Sequence, residues 1–151
     1  MNKNLKILIY VSSGILLLLV IVAVVLSFSG SSQNQSTNQL QLNTDQGVVK
    51  VNDFNTYSEK FENNTYLDTE SDYSIYFEDS TDTFYLTLFA QDLEQAITLR
   101  SQAENRLLEQ LNISATEVCK LNIQVSIPFS SSPGLSGVNY GFSGCEDAIN
   151  F

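Results

Sequence analysis

Residues 73–88, YSIYFEDSTDTFYLTL, decide the fold of this chain. Two runs of alternating residues flank the polar segment EDSTDT, and this pattern predicts a β-hairpin. The alternating apolar positions of the two runs are Tyr73, Ile75, Phe77, Phe84, Leu86 and Leu88. The intervening positions also include aromatic residues, so we expect the second face of these strands to be covered as well, by residues 48–66.

A helix is predicted after the hairpin, because the apolar period changes from two to between three and four. Asp92 suits the N-cap, and Gln95 stands three residues later, where its side chain can bond back. One side of the helix is apolar, and its residues are Leu93, Ala96, Ile97, Ala103, Leu107, Leu108 and Leu111. On the opposite, solvent-facing side we expect Arg100 and Glu104 to pair across one turn. Asn112 suits the left-handed residue that ends the helix.

Residues 119–127, CKLNIQVSI, form the clearest strand pattern in the chain. Apolar residues alternate with polar ones until Pro128, which indicates one buried face and one solvated face. A loop rich in Ser, Gly and Pro follows, with a possible short strand at 138–142 that would return Cys145 to Cys119. Two cysteines in an exported domain predict one structural disulfide between them, worth about 3–4 kcal/mol in the chain-entropy model.

The predicted order is therefore β-β-α-β with a possible fourth strand, which is typical of a small two-layer α+β domain over residues 47–151. We expect the first strand of the hairpin at the centre of the sheet. We also expect the third strand to run parallel to the second, because a right-handed helical crossover joins them. Ahead of the hairpin, Thr56 and Glu59 fit a capping box, which predicts a short helix over 56–63.

The N-terminal part divides into a short basic segment, 1–6, and an uncharged apolar run, 7–28. At about 1.5 Å per residue the run spans about 33 Å, enough for a hydrocarbon core of about 30 Å. It therefore predicts a transmembrane helix in contact with the lipid bilayer. Lys3 and Lys6 precede the run and no Lys or Arg follows it before Lys50, so we expect the N-terminus in the cytoplasm and the rest outside.

A cleaved signal peptide is the alternative to a permanent anchor. Ser27 and Ser29 could precede a cut ahead of Gly30. However, the apolar run is longer than the roughly 7–15 residues of a signal peptide's apolar region. The following residues, 29–46, are polar and show no periodicity, which predicts a flexible stalk.

The charge balance limits the classes of function. Beyond residue 29 the chain has five basic residues against all 17 acidic ones, a net charge of −12. Such a domain repels phosphates, so we expect no nucleic-acid partner. The sequence has no histidine and no Ser-x-x-Lys motif, and it therefore lacks the commonest general base. We expect no catalytic residue and no cofactor, and the sequence identifies no small-molecule substrate.

The nearest approach to a metal site is the acidic run 68–79. Its carboxylates match four positions of a calcium-binding loop: Asp68, Glu70, Asp72 and Asp79. Tyr73 stands where that loop needs glycine, and the residues after it have the pattern of a strand. The pattern therefore predicts no metal ligands here, although weak calcium binding stays open.

Part of the chain resembles a group of known sequences. The segment AENRLLEQLNIS at 103–114, followed by VCKLNIQVSIP at 118–128 and by Cys145, is similar to short anchored exported proteins of candidate-phylum bacteria. Asn112 stands where that group would have glycine. The resemblance covers residues 73–145 and implies an N-terminally anchored exported protein, but it implies no activity and no site residues.

Together these patterns favour a membrane-tethered extracytoplasmic domain with an interaction or structural role. Its partner would be another envelope protein or the cell's own surface layer. A subunit of an envelope assembly, such as a pilus or a secretion machine, is the alternative, by analogy of architecture. An envelope enzyme is a third class. An exposed aromatic patch on the sheet would favour binding, and a cleft with convergent carboxylates would favour an enzyme.

The predicted topology is testable by proteolysis. If Lys3 and Lys6 stay in the cytoplasm, protease added to intact cells with a permeabilised outer barrier digests residues 30–151. Full protection of these residues would contradict the orientation. N-terminal sequencing of the mature protein provides the second measurement, because a start at Gly30 would contradict a permanent anchor.

Overall fold

The computed structural model describes residues 38–151. The predicted cytoplasmic segment 1–6, the predicted transmembrane helix 7–28 and the first part of the predicted stalk lie outside these residues. Within 38–151, none of the helices combines the length and the apolar character that crossing a bilayer requires. The elements are β1 (Gln39–Thr44), β2 (Gly47–Asn52), a 3-10 helix (Phe54–Thr56), β3 (Glu59–Phe61), β4 (Asn64–Thr69), β5 (Tyr73–Glu78), β6 (Thr83–Leu88), α1 (Leu93–Leu111), α2 (Ala115–Val118), β7 (Asn122–Ser126) and a second 3-10 helix (Pro133–Leu135).

The strands form two sheets, a β1–β2 hairpin and a five-stranded sheet with the order β3-β4-β5-β6-β7. The predicted hairpin is confirmed, since β5 and β6 are antiparallel and pair Ile75 with Leu86 and Tyr76 with Tyr85. β5 lies at the centre of the sheet, and β7 runs parallel to β6, both as predicted. The fold is therefore α+β, with two sheets and one disulfide.

The hydrophobic core lies on one face of the five-stranded sheet. On β5 and β6 the buried side chains are Ile75, Phe77, Phe84, Leu86 and Leu88, none more than 4% exposed. Helix α1 covers them with Leu99, Ala103, Leu107 and Leu111. The β1–β2 hairpin adds Val49 and Val51 to the same core. The expectation that residues 48–66 cover the second face is wrong, because the buried part of this segment packs on the same side as the helix.

The segment predicted as the end of a flexible stalk contains a strand. Residues 39–44 form β1 and pair with β2, so the stalk prediction is wrong for these residues. Leu40 and Leu42 pack against the core, while the alternating Gln39 and Gln41 are exposed. Gly47 closes the turn with a φ of 117°, a conformation that glycine adopts without a steric cost.

The predicted helix over 56–63 does not form. Asp53 caps a single 3-10 turn over Phe54–Thr56, and residues 59–61 then pair with β4 as β3. Phe54 is fully buried and packs edge-on against Phe77, at 5.3 Å between ring centres. Phe54 therefore anchors the turn to the core, whereas Phe61 is exposed.

The ends of helix α1 are as predicted. Asp92 accepts a hydrogen bond from the Gln95 backbone N–H at 2.8 Å, and Asn112 ends the helix with a φ of 52°. The faces of the helix differ from the prediction. Leu93 and Ile97 are about half exposed, and Arg100, expected in solvent, is 4% exposed.

The C-terminal tail explains the burial of Arg100, because residues 139–151 pack over this side of the helix. Arg100 Nε pairs with Glu104 at 2.9 Å, as predicted, although both side chains are almost fully buried. Its terminal nitrogens donate to three backbone carbonyls of the tail, those of Tyr140, Gly141 and Ile149. Glu104 in turn accepts hydrogen bonds from the backbone N–H and the hydroxyl of Ser143. The ion pair therefore holds the tail in place.

The possible fourth strand at 138–142 is not formed. The tail runs beside β7, where the Tyr140 N–H donates to the Val125 carbonyl at 2.8 Å. The Val125 N–H, however, bonds to the Asn139 side chain rather than to a backbone carbonyl. Gly141 then takes a φ of 62° and turns the chain away. The Asn139 side chain thus takes the place of one backbone acceptor, and the backbone hydrogen bonds between the tail and β7 do not continue.

The predicted disulfide between Cys119 and Cys145 is present, with Cα atoms 5.4 Å apart. A capping box of Ser114 and Glu117 starts the short helix α2, which places Cys119 just before β7. The bridge therefore ties the tail to the start of the edge strand of the sheet.

The Arg100–Glu104 pair provides a stability test. Arg100→Met leaves the Glu104 carboxylate buried without a cation, which should lower the free energy of unfolding by about 3–5 kcal/mol. Arg106→Met is the matched control. Its pair with Asp68 is 45% exposed on the arginine side, and such pairs contribute about 1 kcal/mol at most. Urea unfolding of the full chain measures both, and equal losses would contradict the assigned role of Arg100.

Candidate functional site

The face of the five-stranded sheet opposite the core is here named the outer face. Its first row from β3 to β7 is Phe61, Asn64, Glu78, Thr83 and Asn122. The second row is Glu59, Tyr66, Tyr76, Tyr85 and Gln124, and the third, from β4 to β7, is Thr69, Ser74, Thr87 and Ser126. All of these residues except Thr83 keep some solvent exposure, so no helix or strand of residues 38–151 covers the face.

Three tyrosines form a stacked row at the middle of the outer face. The rings of Tyr76 and Tyr85 are parallel within 9°, with centres 4.9 Å apart. Rings this close cannot lie side by side in one plane, so they stack. Tyr66 flanks Tyr76 on the other side at 5.5 Å, with its ring tilted by 37°. Tyr76 is therefore held between two rings, and the row presents ring edges and hydroxyl groups to solvent.

The environment of Tyr76 favours its neutral form. Burial raises the pKa of Tyr76 above its usual value of 10.0, and Tyr85, Tyr66 and Glu78 raise it further. Within residues 38–151, the hydroxyls of Tyr66 and Tyr76 make no hydrogen bond to protein, whereas the Tyr85 hydroxyl donates to Glu78. The row thus offers two phenol hydroxyls, those of Tyr66 and Tyr76, that are free to donate or accept.

A carboxylate is fixed beside the tyrosine row. Glu78 Oε2 accepts hydrogen bonds from the Thr81 hydroxyl at 2.6 Å and from the Tyr85 hydroxyl at 3.2 Å. Both donors leave Oε1 without a bond to the described part of the chain. Glu78 is half-buried at the end of the central strand β5. Its position is therefore set before any partner arrives.

The acidic run 68–79 does not come together as a calcium loop. A bulge between Tyr66 and Asp68 turns Asp68 toward α1, where it accepts from Arg106 Nε at 2.6 Å. Asp79 lies at the other end of β5 and pairs with Lys60 at 3.7 Å. The run is thus split between opposite ends of one strand. Across residues 38–151, no three His, Cys, Asp or Glu side chains are close enough to hold a metal ion.

A polar groove of about 430 Å³ lies at one end of the sheet. The β1–β2 turn, the β5–β6 turn and the start of β7 line it. Asp45 and Asp82 are its carboxylates, and Lys120 provides one cation. The groove therefore neutralises part of its own charge.

A second concavity, of about 320 Å³, lies beside the buried ion pair. Ser143 and Glu104 both line it and are hydrogen-bonded, an arrangement that could suggest an activated serine. Both Glu104 oxygens are already engaged, however, by Arg100 Nε and by the backbone and hydroxyl groups of Ser143. The sequence contains no histidine to relay a proton. These contacts hold the tail in place.

The sequence analysis assigned only the two cysteines as site residues, and it did not identify the tyrosine row. The signal was present in part. Tyr76 and Tyr85 occupy the positions between the apolar residues of β5 and β6, where a tyrosine tolerates water better than phenylalanine does. Tyr66 could not be placed, because its strand follows a segment predicted as helix.

Comparisons with known proteins add no family to this description. No protein-family model, curated protein or solved structure matches the chain.

The pKa of Tyr76 can be measured by ultraviolet titration of tyrosinate in the full chain. The component absent from Tyr76→Phe should titrate above pH 10, because burial and the neighbouring Glu78 disfavour the charged phenolate. The contribution of Tyr76 to stability is then complete below pH 10 and is lost as the pH rises through its raised pKa.

Two substitutions sharpen this titration. Glu78→Gln should lower the pKa of Tyr76, because it removes a negative neighbour. Glu94→Gln, in the first turn of α1, should leave it unchanged. A Tyr76 component with a midpoint at or below pH 10 would contradict the geometry of the row.

Proposed function

We propose that this chain is a membrane-tethered, non-catalytic binding domain displayed outside the cytoplasmic membrane, and that it binds another envelope protein through the outer face. The observation that carries the proposal is the row of Tyr66, Tyr76 and Tyr85, which no helix or strand of residues 38–151 covers. The apolar run 7–28, with Lys3 and Lys6 before it, supports the tether.

The composition of the outer face supports a protein partner. Protein interfaces are enriched in tyrosine and depleted in lysine relative to other surfaces. The outer face has three tyrosines and Phe61, and Lys and Arg are absent from its 14 positions. Stacking already holds the rings in place, so binding would order few side chains and would lose little entropy.

The size of the outer face indicates a transient contact. Five strands at about 4.8 Å spacing and three rows at about 6.7 Å give an area of about 480 Å². A standard interface buries about 800 Å² on each partner. The face alone therefore supports weak binding. A shared membrane would compensate, because tethering both proteins raises their effective concentration.

The chemistry of the concavities supports a non-catalytic role. The carboxylate beside Ser143 is held in the buried ion pair with Arg100, and Lys120 lines the groove at the sheet end together with Asp45 and Asp82. The sequence provides no histidine. Binding is the function that the remaining surface features favour.

Site-specific photocrosslinking in intact cells tests the proposal. A photoreactive amino acid at Thr69 or Thr87, on the outer face but outside the tyrosine row, should link the chain to one envelope protein. The same amino acid at Gln102 or Asn105, exposed on α1, should not. Mass spectrometry identifies the linked protein.

The tyrosine row provides the specificity control for crosslinking. Tyr76→Ala with Tyr85→Ala should abolish the product from Thr69, provided that circular dichroism shows a folded chain. Equal crosslinking from the two faces, or none from the outer face, would overturn the proposal. Crosslinked products that contain only further copies of this chain would overturn the proposal of a different envelope protein as partner. They would favour the alternative that the chain is a subunit of an envelope assembly.

A further inference from the structure

Glu78 is the only carboxylate that the outer face holds rigidly among its 14 positions. Thr81 and Tyr85 fix Oε2 by hydrogen bonds, and Oε1 points to no partner among residues 38–151. The residue is half-buried, so water screens its charge less than at a fully exposed site. The second carboxylate, Glu59, is exposed and begins the tyrosine row at the β3 edge.

Three of the five cations among residues 38–151 are held in ion pairs away from these two carboxylates, and the other two lie off the outer face. Lys60 pairs with Asp79, Arg100 with Glu104, and Arg106 with Asp68 and Glu109. Lys50 belongs to the hairpin on the core side, and Lys120 lies at the rim, in the polar groove. Neither Glu59 nor Glu78 belongs to an ion pair formed within residues 38–151.

The tyrosine row determines how a cation could approach. An aromatic ring attracts cations at its face, whereas its edge carries partial positive charge. The faces of the Tyr76 ring lie against Tyr66 and Tyr85, so mainly edges and hydroxyl oxygens reach solvent. A cation would therefore bind to the carboxylates and to the phenol oxygens. The ring edges and the exposed Phe61 would contact the aliphatic stem of the same side chain.

Charge excludes several other occupants. A second copy of this chain would bring two further carboxylates, Glu59 and Glu78, to a face whose 14 positions carry no Lys or Arg, and like charges at an interface are repulsive. Nucleic acid and anionic lipid are repelled by the same face and by the net charge of −12 beyond residue 29, from five basic and 17 acidic residues. A segment that carries Lys or Arg is the occupant with complementary charge.

We infer that the partner of the outer face presents an extended segment with Lys or Arg side chains, one of which binds Glu78 Oε1 beside the tyrosine row. This inference rests on the proposed function and names the chemistry of its partner. Glu59, which pairs with Tyr66 at the β3 end of the same row, would bind a second cation at the β3 edge.

Fluorescence anisotropy with a defined probe tests the inference. The probe is a short labelled peptide of alternating Lys and Thr, titrated with the full chain in non-ionic detergent at low salt. The same peptide with Glu in place of Lys is the charge control and should not bind. Glu59→Gln with Glu78→Gln should weaken binding of the Lys peptide about tenfold, because charge-assisted contacts of about 1.5 kcal/mol or more are lost.

A matched pair of substitutions separates the site from the general negative field. Glu94→Gln with Glu146→Gln removes the same charge from exposed positions outside the sheet. These two changes should weaken binding of the Lys peptide by less than about twofold, because salt and water screen distant charges. Equal losses in the two variant pairs, or equal binding of the Lys and Glu peptides, would overturn the inference.

Crosslinking distinguishes failure of this inference from failure of the proposed function. Thr87 crosslinking in the Glu59→Gln, Glu78→Gln background should lose most of the envelope-protein product. An undiminished product would show that the domain binds through the outer face without a cationic segment, which overturns the inference alone. Absence of the Thr87 product in a chain that keeps Glu59 and Glu78 would overturn the proposed function itself.

Discussion

Among residues 38–151, the elements that cover the five-stranded sheet all pack on the same face of it, and the rest of this domain depends on that constraint. Helix α1, the β1–β2 hairpin and Phe54 bury Ile75 and Leu86 completely. A chain of this length has enough apolar residues for one covering layer. The opposite face must therefore be stabilised by contacts within the sheet. Each cross-strand aromatic pair contributes about 0.5–1.5 kcal/mol beyond its burial, so the tyrosine row both supports the sheet and forms its exposed surface.

The buried ion pair shows how a polar group can specify the path of an irregular segment. Arg100 donates hydrogen bonds to Glu104 and to three tail carbonyls, so four of its N–H groups are satisfied. An apolar side chain at this position could fill the space but could not donate hydrogen bonds to those three carbonyls. Buried pairs are weak evidence for net stability. Here the pair fixes the position of a tail that forms no strand of its own and meets β7 through the Tyr140–Val125 hydrogen bond.

The parts of the fold that depend on local sequence were predictable. The hairpin, the caps of α1, the alternation in β7 and the Cys119–Cys145 bridge each follow from spacing within a short window. The predictions that failed concern contacts between segments that are distant along the chain. Arg100 is charged and was therefore expected in solvent, but the C-terminal tail covers it. Leu40 and Leu42 lie in a segment whose composition is that of a polar linker, and its pairing with β2 was not visible in the sequence. The tyrosine row required the register of three strands, and one of those strands was not predicted.

The parallel pairing of β6 with β7 has a consequence for the order of folding. The β5–β6 hairpin closes through a short turn, but β7 can join β6 only after the whole of α1 has crossed the sheet. Contacts so distant along the chain form slowly, because loop closure must precede them. Cys119 stands just before β7, and Cys145 follows the tail that lies beside it. Oxidation of the two thiols therefore reports the completion of the fold, and an oxidising enzyme that acted earlier would find the two sulfur atoms apart.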